Sequence, residues 1–306
     1  MPGIIRIGTR ESQLAVWQAT RVSELLSHQG HHSELVYIKS EGDTDLVTPL
    51  YEMGVQGIFT KSLDIALLQG RIDLAVHSMK DVPVVLPLGL VQVAVLKRGS
   101  YKDILVTRPA LSTKDSADPL RIATSSIRRK AQWLNRYPGS QIENLRGNVN
   151  TRLKKLAESD WDGAIFAAAG LERIGLRPDN STDLDWMLPA PAQGAIMVVG
   201  RMEDRRMMDA CRHFNDETTA FCVKAERDFL KTLLGGCSAP ISALARLEND
   251  QLILRSNLLS VNGIRKLKVE KKLPLERSYS LGVDAALEIL DQGGDKIMEA
   301  IRKNEG

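Results

Sequence analysis

Twice along this chain a short apolar run gives way to a turn of small, hydroxyl and arginine residues, and at once to an amphipathic helix: IIRIGTRESQLAVWQATRV near the start, then RIATSSIRRKAQWLNRY. The pattern continues in between and beyond. IFTKSLDIALLQG reads as a helix ending at Gly70; IDLAVHSMKDVP, QIENLRG and WDGAIFAAAGLERIG each read as a strand running out into a loop or helix, and NVNTRLKKLAE as a further helix. Strands that alternate with helices need crossovers, and crossovers build parallel sheets covered by helices on both faces. The pattern therefore predicts an α/β fold.

Local signals place the elements. Ser12 is the expected N-cap of the first helix and Gly30 its stop, with SELVYIKS as a second strand. EGDTDLVTPLYEMGVQG has no clear periodicity and reads as a long loop of the kind that serves as a lid. MLPAPAQGAIMVV is Pro/Gly-rich before it turns strand-like, as a crossover between lobes would be. After roughly residue 215 the pattern changes. TTAFCVKAERDFLKTLLGG is a long helix, QLILRSNLLS and IRKLKVEKKL alternate like strands, and SLGVDAALEILDQGGDKIMEAIRKN reads as one terminal helix. At 306 residues the chain has room for two or three lobes, the last a smaller α+β domain.

Composition excludes several classes. An apolar fraction of 43% with 26% charged residues is that of a soluble globular protein, not of a disordered chain. No window approaches the ~18 consecutive apolar residues that span a bilayer. The start carries no basic segment followed by an apolar one, so the expectation is a cytoplasmic chain. Cys211, Cys222 and Cys237 form no CxxC pair, which predicts reduced thiols. Cys211 and His213 alone do not make a metal site, so none is expected. Neither GxGxxG nor GxxxxGK[ST] occurs, leaving a dinucleotide or nucleoside triphosphate without its usual loop.

The net charge of +3 is unevenly spread: Arg121 to Lys155 holds nine Lys and Arg against one acid, Glu143. Arg128 and Arg129 follow a Ser cap in the first turn of a helix, where the dipole disfavours cations and favours an anion beside them. Arg146 precedes another helix start, Arg152 lies just inside it, and Arg10 occupies a third strand-to-helix turn. Ligands of open α/β sheets bind off the carboxyl ends of the strands, so these arginines are expected to converge on one polyanionic ligand. In HSMKDVP a strand end delivers His77, Ser78, Lys80 and Asp81 into a loop. Asp81 either stabilises a developing cation there or orders the turn before Pro83. Cys237, between Gly235-Gly236 and small residues, reads as an accessible nucleophile or attachment point; Cys211 and Cys222 read as small core residues.

Taken together, IRIGTRESQLAVWQA, DLAVHSMKDVP, IATSSIRRKAQ, NLRGNVNTRLKKL, AAAGLERIG, LPAPAQGAI and LLGGCSAPI, in that order, resemble the porphobilinogen deaminase family over most of the chain. The resemblance implies two lobes like type II periplasmic binding proteins around a cleft, plus a smaller C-terminal α+β domain. Their bounds would be 1–97 with 193–214, 98–192, and 215–306. It implies hydroxymethylbilane synthase activity, the deaminating head-to-tail condensation of four porphobilinogen molecules on a covalent dipyrromethane primer held by a thioether to Cys237. Asp81 matches the catalytic aspartate. Ser78, Lys80, Thr124, Ser126, Arg128, Arg129 and Arg146 match cofactor-binding positions, with Ser125 beside them; Arg10, Ser12, Arg152, Arg173 and Gln193 match substrate-binding ones.

The family's lid motif GGKG is Gly54-Val55-Gln56-Gly57 here, with Ser62 in a glutamate position. Loss of the lysine predicts weaker closure or transfer of its duty to Lys61. The late GQG is Ala192-Gln193-Gly194. The expected partner is the small-molecule substrate, with neither nucleic acid nor membrane, and the chain a monomer. The competing reading is a non-catalytic anion- or solute-binding protein of the same two-lobed fold.

Overall fold

The computed structural model describes residues 3–39, 60–108, 119–233 and 239–304. The expected lid and Cys237 lie outside these described residues. The chain divides into two compact units: one draws its described residues from 3–39, 60–99 and 194–221, the other from 100–193 and the residues after 221.

The first unit begins β1 (Ile5–Thr9), α1 (Gln13–His28), β2 (Ser33–Tyr37), α2 (Lys61–Leu68), β3 (Leu74–Ser78) and β4 (Leu90–Val95). Ser12 caps α1 as expected, its side chain accepting the Ala15 N–H at 3.4 Å. The second unit continues with β5 (Asp103–Thr107), β6 (Arg121–Ala123), α3 (Ile127–Arg136), β7 (Gln141–Glu143), α4 (Val149–Glu158), β8 (Gly163–Ala167), α5 (Ala168–Glu172) and β9 (Ser181–Asp183). The chain then returns to the first unit for β10 (Ile196–Arg201) and α6 (Arg205–Arg212).

The two sheets share one topology. Their strand orders are β2-β1-β3-β10-β4 and β7-β6-β8-β5-β9. Each reads second, first, third, the strand by which the chain enters from the other unit, fourth. The expectation of parallel sheets needs correction. β10 runs antiparallel to β3 and β4, and β5 antiparallel to β8 and β9, so both sheets are mixed. Neither strand is joined to its sheet neighbours by a local crossover helix: β5 follows directly on β4 of the other sheet, and β10 follows β9.

Side-chain alternation explains how the second sheet is covered on both faces. Ala123, Ala164 and Phe166 pack with Leu145, Leu156 and Leu171 on one side, while Ile122 and Ile165 pack with Trp133, Leu184 and Met187 on the other. In the first unit Ile5, Ile7, Leu74 and Val76 meet Ala19, Val22 and Leu26 of α1 and Met207 and Cys211 of α6.

The second unit also carries a separate three-stranded antiparallel sheet, β11 (Ile241–Glu248), β12 (Gln251–Leu259) and β13 (Lys266–Pro274), packed on α7 (Glu217–Thr232), α8 (Leu281–Ile289) and α9 (Asp295–Asn304) around Phe229. The single terminal helix expected from sequence is two, because Gly293 takes φ +91° and turns the chain between them. The β12–β13 turn lies close on α3. A Cβ at Gly263 would fall 2.5 Å from the Ala131 carbonyl, and the Gly263 carbonyl accepts from Asn135 Nδ2 at 2.8 Å.

Candidate functional site

In the first unit β1 and β3 are parallel neighbours, with Ile7 opposite Leu74 and Gly8 opposite Ala75. Their carboxyl ends therefore bring Arg10 and Ser12 beside His77, Ser78, Lys80 and Asp81. A short 3-10 turn, Met79–Asp81, follows β3 and is fixed by Met79 N–H donating to the Ala195 carbonyl at 3.0 Å. Lys80 and Asp81 are half-buried. Among the described residues the Asp81 carboxylate makes no hydrogen bond or ion pair, so it does not order the turn before Pro83.

Two neighbours that sequence reading gave no role shape this edge. Buried Gln18 of α1 donates from Nε2 to Ser78 Oγ at 2.8 Å. With its oxygen engaged, Ser78 keeps its proton to donate elsewhere, and Ser12 is in the same state at the α1 cap. His77 is buried with Nε2 lacking a hydrogen-bond partner among the described residues; burial, aided by nearby Arg10, pushes its imidazole down to about 4. It stands neutral at pH 7.

In the second unit the parallel strands β6, β7 and β8 direct Thr124–Ser126, Arg146 and the Ala168–Arg173 segment to one sheet edge. Ser126 caps α3 by accepting the Arg129 N–H at 3.4 Å, and Thr124 Oγ1 accepts the Ser126 N–H at 3.2 Å. Both hydroxyl protons remain free to donate. Ser125 differs, because its hydroxyl donates to the Leu145 carbonyl at 2.5 Å and is spent on the fold. Asn148 caps α4, which places Arg152 in its first turn. Arg173 follows α5, and burial pushes its guanidinium down to about 10, still protonated at pH 7.

The basic stretch is less exposed than its local count implies. Arg128 and Arg129 are each 5% exposed, and both pair with Asp103, which lies outside the stretch in sequence. Arg121 likewise pairs with Glu143 and Asp160. The Asp103 carboxylate accepts from Arg128 Nη1 at 2.7 Å, Arg129 Nε at 3.0 Å and Nη2 at 2.8 Å, and Gln193 Nε2 at 3.0 Å. Burial opposes its charge, but the two guanidiniums hold it well below the usual carboxylate range. Arg129 also donates to the Ile165 carbonyl, and Arg128 Nη1 to that of Leu188. Arg128 Nε and Nη2 make no hydrogen bond among the described residues.

Gln193 reaches this group from a turn in which Ala192, where the family has glycine, takes φ +61°. Its strained backbone is held by buried Glu226, which accepts from Ala192 N–H at 2.6 Å and Ala245 N–H at 2.7 Å. Asp103 and Glu226 lie in no family motif, and Gln18 lies in one without having been given a role. Their only sequence signal is a polar residue inside or beside an apolar run.

The donor set suits a ligand bearing several carboxylates. On the edge of the second unit the Thr124 and Ser126 hydroxyls stand with the buried guanidiniums of Arg128, Arg129 and Arg146, and charge-assisted hydrogen bonds of this type are the strong ones. A dipyrromethane with acetate and propionate arms fits that chemistry. Cys211 and Cys222 are buried, with the Cys211 thiol pushed up to about 12 by desolvation, so neither is a reactive thiol. Among the described residues no cluster of His, Cys, Asp or Glu is suited to a metal ion, and no helix is long and apolar enough to cross a membrane.

Comparison with known proteins agrees with this chemistry. The family model described as porphobilinogen deaminase, dipyromethane cofactor binding domain, matches residues 5–209, and that of the porphobilinogen deaminase C-terminal domain matches 220–291. The chain is 42% identical over 307 residues to porphobilinogen deaminase of Acidithiobacillus ferrooxidans, covering 99% of each chain. It is 41% identical over 301 residues to that of Maridesulfovibrio salexigens, covering 97% of this chain and 98% of the relative. Among solved structures it is similar to a nutrient binding protein from Burkholderia cenocepacia bound to methionine, at 14% identity and a TM-score of 0.41 over 68% of this chain and 92% of that one. The chain belongs to the porphobilinogen deaminase family.

Proposed function

We infer that Asp81 is the charge-stabilising carboxylate of a hydroxymethylbilane synthase, the transferase activity that membership of this family carries. The reaction joins four porphobilinogen molecules head to tail. In each round the aminomethyl C–N bond breaks and ammonia leaves, a C–C bond forms to the next pyrrole, and that pyrrole loses its α-proton. The observation that carries the reading is the Asp81 carboxylate itself: half-buried, left unpaired by the described residues, and set in the short turn after β3, the strand whose His77 feels the charge of Arg10. It hydrogen-bonds the pyrrole N–H of the substrate and stabilises the azafulvene cation left when ammonia departs.

The remaining roles are those that the family resemblance implies. Ser78, Lys80, Thr124, Ser126, Arg128, Arg129 and Arg146 hold the arms of a dipyrromethane attached to Cys237, and Arg10, Ser12, Arg152 and Arg173 receive those of incoming porphobilinogen. When bound, the dipyrromethane supplies a free pyrrole α-carbon as the nucleophile. Gln193 matched a substrate position, but its amide is engaged with Asp103 and the Tyr101 carbonyl; its part is to brace Asp103. The same reading divides the chain at 1–97 with 193–214, 98–192 and 215–306, and takes it to act as a cytoplasmic monomer.

Asp81→Ala tests the assignment. Turnover of porphobilinogen should fall by about a thousandfold or more, with circular dichroism and melting temperature near those of the parent, since among the described residues Asp81 makes no hydrogen bond or ion pair. A folded variant forming tetrapyrrole at near the parent rate would overturn the Asp81 assignment, whereas a parent chain that forms no tetrapyrrole at all would favour a binding protein without chemistry.

A further inference from the structure

We propose that Asp103 is a positioning residue for carboxylate recognition, a buried anion that fixes where Arg128 and Arg129 point. The proposal rests on the reading that these arginines bind the ligand's carboxylates. β5 begins at Asp103, which lies opposite Ala167 at the end of β8, so this antiparallel strand delivers a carboxylate to the edge where the ligand-binding turns gather. Asp103 is fully buried, and its two oxygens accept four hydrogen bonds from Arg128, Arg129 and Gln193.

Two guanidiniums in the first turn of one helix repel each other and the helix dipole. With Asp103 between them the trio carries a net single positive charge, and the arginines need not splay apart. Arg128 is pinned through Nη1 alone, by Asp103 and the Leu188 carbonyl. Its Nε and Nη2 edge, unused by the described residues, is thereby held in one orientation. Gln193 braces the carboxylate from a turn that Glu226 ties to the C-terminal sheet through Ala245.

The experiment measures cofactor loading by intact-protein mass, and KM and kcat for porphobilinogen, in Asp103→Asn, Arg128→Leu and the double variant. Asp103→Asn is nearly isosteric; it removes the charge and exchanges one acceptor oxygen for an NH2 donor. It should lower the fraction of chain carrying dipyrromethane and, in the loaded fraction, raise KM by about tenfold with a smaller change in kcat. In the Arg128→Leu background the same substitution should change KM by less than about threefold, because coupled residues are not additive. Unchanged loading and KM in a folded Asp103→Asn, with only a lower melting temperature, would overturn the proposal, as would equal effects in both backgrounds. If Arg128→Leu alone changes neither loading nor KM, the arginine reading beneath the proposal fails, and the proposal with it. Should Asp103→Asn not fold, Gln193→Leu withdraws one of the four hydrogen bonds to Asp103, together with those to the Tyr101 and Lys102 carbonyls, and keeps both ion pairs. A KM raised about threefold with reduced loading supports the proposal, and parent values of both reject it.

Discussion

A hydroxyl oxygen that already accepts a hydrogen bond has only its proton left to offer, and this separates three adjacent residues that sequence alone left together. Thr124 and Ser126 accept backbone N–H groups, whereas Ser125 gives its proton to the Leu145 carbonyl. Ser126→Ala should cost about 1 kcal/mol for the lost cap and also raise KM for porphobilinogen. Ser125→Ala should cost a similar ~1–2 kcal/mol for the unsatisfied carbonyl and leave KM unchanged. Thermal melts with steady-state kinetics on both variants check this. A raised KM in Ser125→Ala would mean its hydroxyl serves the ligand. The motif TSS marked the place in the sequence, but which of its hydroxyls is available depends on a carbonyl twenty residues away.

At the scale of elements, the end of β3 carries its own titration. His77 is neutral and buried in the fold, with its imidazole down to about 4, while the unfolded chain has the ordinary value near 6.5. Below about pH 6.5 the unfolded chain therefore binds a proton that the fold does not, and stability falls as pH drops toward about 4, by on the order of 3 kcal/mol in all. Above that window His77 contributes no slope. Urea unfolding at pH 7 and pH 5 should show the parent losing about 2 kcal/mol more than His77→Leu; equal losses would contradict the burial argument.

The elements themselves were largely legible. Ser12, Gly30 and Gly70 bounded α1 and α2 as their chemistry dictates, and the strand-to-helix turns held their arginines. The antiparallel strands β5 and β10 were not, because nothing local in KDILVT or AIMVVG tells which neighbour a strand will pair with or in which sense. Asp103 was hidden for the same reason. Its partners are 25 and 26 residues away and become neighbours only when β5 lands beside β8.

For the whole molecule, the uneven charge was legible and its meaning only partly so. The basic surplus between Arg121 and Lys155 is offset in part by Asp103, Asp160 and Glu158, acids that the window did not contain. What remains for a ligand is a smaller, oriented set of donors. That selection is physical: a buried cation needs a counter-charge from its own fold, and one kept for a ligand must be held without being satisfied. Cys237 lies outside the described residues, so its role rests on motif and family. The most direct test is the intact mass of the purified chain beside its Cys237→Ala variant. The account predicts a mass excess of two linked pyrrole units on the parent and none on the variant. An unmodified parent mass that persists after incubation with porphobilinogen would contradict it.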